Sequence, residues 1–135
     1  MSDTHIDVRP AAVLIPCGAP GHEDCGLRLI LDRLGEQWTV MALAELTPGP
    51  RRYRQLERAL SGTSQRMMTL TLRRLERDGH IVRHVEASVP PSVTYELTHL
   101  GRSFASQVAA LVEWSRDSKH QIELAQASFD ARQGA

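Results

Sequence analysis

The fold of this 135-residue chain is decided by one stretch, SGTSQRMMTLTLRRLERDG, at residues 61–79. A Ser-Gly turn opens it, Ser64 has a side chain that commonly caps a helix N-terminus, and Gly79 suits a helix end. On a helical wheel its apolar residues fall in one narrow arc, which predicts that this arc faces a core. The residues of the arc are Met68, Leu72 and Leu75. The stretch therefore predicts an amphipathic helix that follows a sharp turn.

The opposite side of this helix carries arginine without an acidic partner. A helix face exposed to solvent usually mixes acids with bases, because such pairs stabilise the helix. Arginine can instead bind guanine in the major groove, methyl groups can contact thymine, and free amides at a helix N-terminus can hold phosphate. This outward side comprises Arg66, Thr69, Leu70, Arg73 and Arg77. The composition favours duplex DNA as the partner, and the alternative is an arginine-rich surface helix without a ligand.

The segments on both sides of this stretch complete a known arrangement. A short helix predicted over Tyr53–Leu60 precedes the turn, so the two helices form a helix-turn-helix. Alternating residues predict two strands, Ile81–Glu86 and Val93–Leu97, joined by a turn at 87–92. A hairpin directly after the second helix of a helix-turn-helix is the wing of a winged helix.

Helices are also predicted at the two ends of this motif. The spacing of apolar residues predicts a first helix from about Asp24 to Leu34 and a second over Trp38–Leu46. A long final helix starts near Thr98 and reaches about His120. Its predicted core stripe comprises Leu100, Phe104, Val108, Leu111 and Ser115. Because this helix is too long for the small core, we expect it to contact a second copy of the chain.

The predicted fold class is mainly α with a small β-hairpin (α+β), a winged helix-turn-helix with flanking dimerisation helices. Residues 1–22 are interrupted by prolines and glycines and are predicted to form a flexible N-terminal tail. Residues 23–120 are predicted to hold the winged-helix DNA-binding domain, including the first helix and the C-terminal helix. Residues 121–135 either extend the last helix or form a separate helix or tail.

Charge is distributed unevenly along a chain whose net charge is zero. Residues 51–83 contain nine arginines against three acidic residues, a net charge of +6 that the rest of the chain balances. DNA binding requires a local positive face, so the neutral average does not exclude it. Arg51 and Arg52, just before the third helix, are predicted phosphate contacts. The wing tip has no positive charge, which leaves Ser88 or Ser92 for phosphate contact there.

Several classes of protein are disfavoured by what the sequence lacks. No apolar run is long enough to span a membrane, and residues 1–10 do not resemble a signal peptide, so we expect a cytoplasmic protein. No Ser-His-Asp arrangement, paired carboxylates or phosphate-binding glycine loop is visible, so we expect neither an enzyme nor a bound cofactor. A second hypothesis is a winged-helix module for protein contact, which Leu70 favours and the three outward arginines oppose.

Five segments resemble the HxlR-type regulators, a branch near the MarR-type winged helices. They are LGEQWT at 34–39, GPRRY at 49–53, SQRMMT at 64–69, LRRLERDG at 72–79 and VPPSVTYELT at 89–98. They occur in the family's order between Cys25 and about Trp114, a span of about two thirds of the chain. The resemblance implies a dimeric DNA-binding repressor or activator without a catalytic site.

The resemblance and the basic run together give the predicted site residues. The resemblance implies that a helix near Ser64–Arg73 reads the bases, and that the first and C-terminal helices form the dimer. The predicted DNA-binding set is Arg51, Arg52, Ser64, Gln65, Arg66, Thr69, Arg73, Arg74, Arg77 and Ser92. The predicted dimerisation set is Leu27, Ile30, Leu31, Leu100, Phe104, Val108, Leu111 and Trp114. Leu70 and Ser92 depart from the family, which often has a polar and a basic residue there, so contacts at both are expected to be weaker.

The chain has two cysteines, Cys17 in the predicted tail and Cys25 at the start of the predicted first helix. Cys25 matches the family's characteristic cysteine, so the resemblance implies a redox switch that senses oxidants or electrophiles. A thiol in the first turn of a helix also feels the positive end of the helix dipole, which favours the thiolate, although the adjacent acids oppose this. Cys17 is the predicted resolving partner, unless the two copies of Cys25 in a dimer pair directly. The alternative is that Cys25 only packs at the dimer interface.

The same segment has the spacing Cys-x4-His-x2-Cys, with His22 between Cys17 and Cys25. Structural zinc takes four protein ligands, and a fourth is missing unless His5 or water supplies it. No metal site is therefore predicted.

Overall fold

The computed structural model describes residues 26–134, which divide into two units at the boundary between Gly35 and Glu36. The described part of the first unit is one helix, α1 (Leu27–Leu34). Gly26 precedes it with a left-handed φ of +77°, and Gly35 ends it as predicted, with its N–H donating to the carbonyl of Leu31 at 3.0 Å. The tail predicted at residues 1–22 lies outside the described residues.

The described part of the second unit contains four helices and three strands. They are α2 (Gln37–Leu46), β1 (Arg51–Arg52), α3 (Tyr53–Ala59), α4 (Gln65–Arg77), β2 (Ile81–Glu86), β3 (Ser92–Leu97) and α5 (His99–Gly134). These bounds confirm the predicted helix-turn-helix and the predicted wing, because α2, α3, α4, β2 and β3 differ from the predicted bounds by no more than one residue at either end. The first helix was predicted to start near Asp24, but α1 starts at Leu27, after a glycine whose left-handed conformation is not helical. The α+β winged-helix class is therefore confirmed.

The three strands form an antiparallel sheet in the order β1-β3-β2. β2 and β3 make the wing hairpin, in register from Ile81 opposite Leu97 to Glu86 opposite Ser92. β1 pairs Arg51 with Tyr95 on the other edge of β3. This strand was not predicted, because two arginines provide no alternation of apolar and polar residues.

The core of the second unit lies where α2, α3, α4, the sheet and the start of α5 meet. Its buried apolar side chains are Ala42, Leu43, Leu46, Leu56, Leu60, Met68, Leu72, Leu75, Ile81, Tyr95, Leu97, Phe104 and Val108. The apolar arc predicted for α4 is therefore confirmed. Burial of this set is what orients α4 with its arginine-bearing side toward solvent.

α5 is one continuous helix of 36 residues, which makes it about 54 Å long. It continues through residues 121–134, so these residues extend the last helix. The predicted core stripe is correct at Phe104 and Val108, but it is wrong at Leu100, Leu111 and Ser115, which are exposed. In the part of the chain that the structure describes, no side chain of α5 after Val108 is buried. The core of the unit is too small to cover the rest of the helix.

Candidate nucleic-acid interface

The turn before α4 is held by local contacts that the sequence encodes. The Oγ of Ser64 accepts a hydrogen bond from the N–H of Met67 at 3.0 Å, which confirms Ser64 as the N-cap. Gly62 has a φ of +105°, and a Cβ added there would lie 3.7 Å from the indole of Trp38. The left-handed conformation at this turn requires glycine. Together these contacts fix where the helix begins relative to α2.

The outward face of α4 is exposed as predicted. Its five predicted members are all accessible to solvent: Arg66, Thr69, Leu70, Arg73 and Arg77. Gln65, the first residue of α4, is exposed as well. Among residues 26–134, the ion pairs are Arg74–Glu36, His84–Glu96 and Lys119–Glu123. Among the described residues, none of the outward arginines of α4 is therefore within ion-pair distance of a carboxylate. A surface of this kind attracts polyanions.

A cleft lies between α4 and the wing. Its volume is about 1090 Å³, and it is lined by Arg52, Tyr53, Arg54, Thr69, Arg73, Glu76, Arg83, Glu86, Ser88, Pro90, Pro91, Ser92, Val93 and Tyr95. Four arginines face two glutamates there, so the cleft has a net positive charge. The cleft brings together four residues of the predicted DNA-binding set: Arg52, Thr69, Arg73 and Ser92. Arg54 and Arg83 were missing from that set, although the basic run of residues 51–83 contains both.

The two arginines of β1 have different surroundings. Successive residues of a strand point to opposite faces, so the side chains of Arg51 and Arg52 lie on opposite faces of the sheet. Arg52 is exposed, lines the cleft and donates its backbone N–H to Oε1 of Gln55 at 2.8 Å. Arg51 is half-buried, and its guanidinium donates to the carbonyl of Pro50 at 3.3 Å. Arg52 is therefore the better placed of the two for contact with a ligand in the cleft.

Arg74 lies apart from the other arginines of α4. Its Nη1 donates to Oε1 of Glu36 at 2.8 Å, and the pair is only partly exposed. Thr39 donates its hydroxyl to the other oxygen of the same carboxylate at 3.3 Å. This contact joins α4 to the start of α2, so Arg74 helps to position the helix. The other three arginines of α4, Arg66, Arg73 and Arg77, lie on its outward face and are exposed to solvent.

The wing tip is apolar and locally constrained. Val89 is fully exposed, and the Oγ of Ser88 donates to the carbonyl of Pro90 at 2.7 Å. Ser92 is half-buried at the edge of the cleft. The absence of charge at the tip leaves Arg83, at the base of the hairpin, as the cationic residue that the wing contributes to the cleft.

Some members of the predicted dimerisation set are buried within the chain, and others are exposed to solvent. Phe104 and Val108 are buried in the core of their own unit. Exposed members of the set on α5 are Leu100, Leu111 and Trp114, and on α1 they are Leu27 and Leu31. Ile30 is half-buried. Ile122, Leu124 and Phe129 add exposed apolar side chains to α5 beyond the predicted set.

Cys17 and Cys25 lie outside the described residues, as do His5 and His22. Within residues 26–134, no group of three or more His, Cys, Asp or Glu side chains is arranged to hold a metal ion. None of the helices in that range has the length and apolar content needed to cross a membrane.

Comparison with known protein families identifies the same architecture. A family model described as HxlR-like helix-turn-helix matches residues 33–123. The chain is 36% identical over 109 residues to YdeP of Bacillus subtilis (strain 168), an uncharacterised HTH-type transcriptional regulator, covering 81% of this chain and 85% of YdeP. It is 38% identical over 92 residues to YtfH of Escherichia coli (strain K12), also an uncharacterised HTH-type transcriptional regulator, covering 68% and 73%.

Solved structures are similar over most of their length. Superposition on ytfH from Salmonella typhimurium gives a TM-score of 0.67 at 37% identity, covering 78% of this chain and 94% of that chain. The redox regulator HypR in its oxidised form gives a TM-score of 0.63 at 35% identity, covering 69% and 96%.

Proposed function

The chain belongs to the HxlR-like helix-turn-helix family of DNA-binding transcriptional regulators, and we propose that it recognises a specific duplex sequence as a homodimer. The observation that carries the proposal is the exposed face of α4, whose arginines form no ion pair among the described residues, beside a cleft of net positive charge. This arrangement suits a duplex whose bases are read by α4 and whose backbone is held by the cleft. Its place of action is the cytoplasm, where such a regulator meets DNA.

The roles of individual residues follow from their positions on α4 and around the cleft. The N-terminal half of a recognition helix enters the major groove, so Gln65, Arg66 and Thr69 are assigned to base edges. Arg73 stands one turn after Thr69 on the same face and completes the reading set. Phosphate contacts are assigned to Arg51, Arg52, Ser64, Arg77 and Ser92, with Arg54 and Arg83 added from the cleft. Arg74 is assigned to phosphate only if its pair with Glu36 opens.

Homodimer formation is supported by the uncovered apolar residues of α5. The part of α5 after Val108 exposes leucine, tryptophan and phenylalanine over several turns. The simplest way to bury these side chains is against the same helix of a second copy. A two-fold dimer requires a pseudo-palindromic site, with half-sites about 10 base pairs apart or a multiple of that distance.

Selection of bound sequences from random duplexes, followed by salt titration, tests the proposal. We expect a pseudo-palindromic consensus and an affinity that falls steeply as salt rises, because each phosphate contact releases counterions. A winged-helix module for protein contact would give no consensus and a weak, sequence-independent affinity. Sedimentation that shows a monomer at micromolar concentration, with one chain per half-site, would contradict the homodimer.

A redox role for Cys25 is the second part of the proposal. It is supported by the place of Cys25 in the sequence, two residues before the first residue of α1, and by the similarity to HypR, itself a redox regulator. A disulfide to Cys17, or between the two copies of Cys25, would constrain the first helix. The competing interpretation is that Cys25 is a packing residue at the dimer interface without a redox role.

The redox role is tested by measuring operator affinity with and without the thiol oxidant diamide. We expect oxidation to change the affinity of the wild type several-fold and to leave Cys25→Ser unaffected. Cys17→Ser separates the two disulfides, because it blocks the bond within a chain and permits the bond between chains. An identical response of wild type and Cys25→Ser would reduce Cys25 to a packing residue.

A further inference from the structure

The two residues that follow the end of α4, Gly79 and His80, make several contacts with the start of α5. After Arg77 the chain turns through Gly79, which has a left-handed φ of +83°. The N–H of Gly79 donates to the carbonyl of Glu76 at 3.0 Å, and the N–H of His80 donates to the carbonyl of Leu75 at 2.9 Å. These bonds close the helix end, and they leave the carbonyls of Gly79 and His80 pointing away from α4.

Thr98, the residue before α5, binds both of these carbonyls. Its Oγ1 donates to the carbonyl of Gly79 at 2.6 Å, and its backbone N–H donates to the carbonyl of His80 at 3.0 Å. The same hydroxyl accepts the N–H of Gly101 at 3.0 Å, so it also caps the first turn of α5. A single side chain thus bonds to the end of one helix and the beginning of another.

The first turns of α5 then lie directly on the backbone of His80. A Cβ added at Gly101 would overlap the carbonyl oxygen of His80, so only glycine permits this approach. One turn later, the ring of Phe104 stacks on the imidazole of His80, with 4.6 Å between the ring centroids and 27° between the ring planes. Backbone contact, hydrogen bonds and ring stacking therefore fix one orientation between the two helices.

We infer that this α4–α5 joint, formed by Gly79, His80, Thr98, Gly101 and Phe104, sets the half-site spacing that the dimer accepts. The inference rests on the proposed function, in which α4 reads DNA and α5 forms the dimer. α4 has 13 residues and is about 20 Å long, so a rotation of about 10° at the joint moves its far end by about 3.5 Å. That displacement is about the rise of one base pair, 3.4 Å. A rigid joint makes the dimer selective for one spacing, and a loosened joint makes it tolerant.

Thr98 is therefore a positioning residue, and it can be tested with an almost isosteric pair of variants. Thr98→Val keeps the shape and removes the hydroxyl, whereas Thr98→Ser keeps both hydrogen bonds of the hydroxyl and serves as the matched control. Each protein is titrated with three duplexes that carry the palindrome selected by the wild type, at its own spacing and with the spacer one base pair longer or shorter. A fourth duplex carries a single half-site.

The expected result is a change in spacing selectivity alone. For the wild type and Thr98→Ser, altering the spacer should weaken binding about ten-fold or more, because it moves and rotates the second half-site. For Thr98→Val the loss should fall below about three-fold, while affinity for the single half-site and its salt dependence stay unchanged. A purely structural role would lower all four affinities together.

Two results would overturn the inference: wild-type spacing selectivity in Thr98→Val, or equal losses on the half-site and the palindromes. If Thr98→Val does not fold, Phe104→Leu takes its place with the same expectations, because it removes the ring stacking and keeps both hydrogen bonds. Failure of the wild type to bind any duplex would instead refute the proposed function, and the inference with it.

Discussion

The two longest helices of the described chain, α4 and α5, differ in how far their apolar side chains are buried. α4 buries its apolar arc completely within one chain and exposes the charged side. α5 buries Phe104 and Val108 near its start and then exposes apolar side chains as far as Phe129. A single chain therefore buries the whole apolar arc of α4, but it leaves most of the large apolar side chains of α5 exposed. The exposed side of α4 carries arginines together with Met67 and Leu70, whereas the exposed part of α5 mixes charged residues with a longer series of large apolar side chains.

The largest expected effect tests whether burial really differs between the two helices. Leu72→Ala in α4 should destabilise the chain by about 2–5 kcal/mol, because it opens a cavity in a filled core. Leu111→Ala, the same substitution on exposed α5, should change the stability of the monomer by less than about 0.5 kcal/mol. Denaturant unfolding at concentrations low enough to keep the chain monomeric measures both. A similar loss for the two variants would mean that α5 is covered within a single chain.

An intermediate effect, on operator affinity, is expected from substitutions of the exposed arginines of α4. Arg66→Ala and Arg73→Ala should each cost about 1–3 kcal/mol of operator binding and relax the base preference at particular positions. Arg58→Ala, which removes an exposed arginine of α3 outside the cleft lining, is the control for charge alone. Affinities for the operator and for single-base variants distinguish the two cases. If all three variants weaken every duplex equally, the reading face is not on α4.

The smallest expected effect concerns a polar group on the buried side of α4. The hydroxyl of Thr71 is buried, and within residues 26–134 it makes no hydrogen bond. Removing it in the nearly isosteric Thr71→Val should stabilise the chain by about 1 kcal/mol, because an unsatisfied buried group carries a desolvation cost. Thermal or denaturant unfolding measures this, and Thr71→Ser, which retains the hydroxyl, is the control. A destabilised Thr71→Val would show that the hydroxyl has a partner in solution.

Local sequence signals predicted α4 and the wing well. The cap at Ser64, the stop at Gly79 and the apolar period of α4 all act within a few residues, so each can be read without knowledge of the fold. β2 and β3 were found for the same reason, since alternation and a turn define a hairpin. The outward residues of α4 followed directly from its buried ones.

The remaining features depend on residues far apart in the chain. β1 exists because β3 offers a free edge, and its two arginines give no signal of their own. The pair between Arg74 and Glu36 spans 38 positions, and Arg74 lies near the buried Thr71 at the edge of the apolar arc rather than on the outward face. The point at which α5 leaves the core depends on the size of that core. Sequence periodicity shows only that an apolar face exists, and not how far it is covered.

The length of α5 also affects how the regulator responds to its own abundance. The residues after Val108 contribute nothing to the core of one chain, and a second copy is their proposed cover. Where most chains are single, the amount of dimer rises with the square of the chain concentration, so doubling the chain raises the dimer about fourfold. Occupancy of an operator would then follow gene dosage more steeply than in proportion. If the proposed dimer forms, a helix that extends beyond the core of its own chain would turn a change in expression level into a sharper change in operator occupancy.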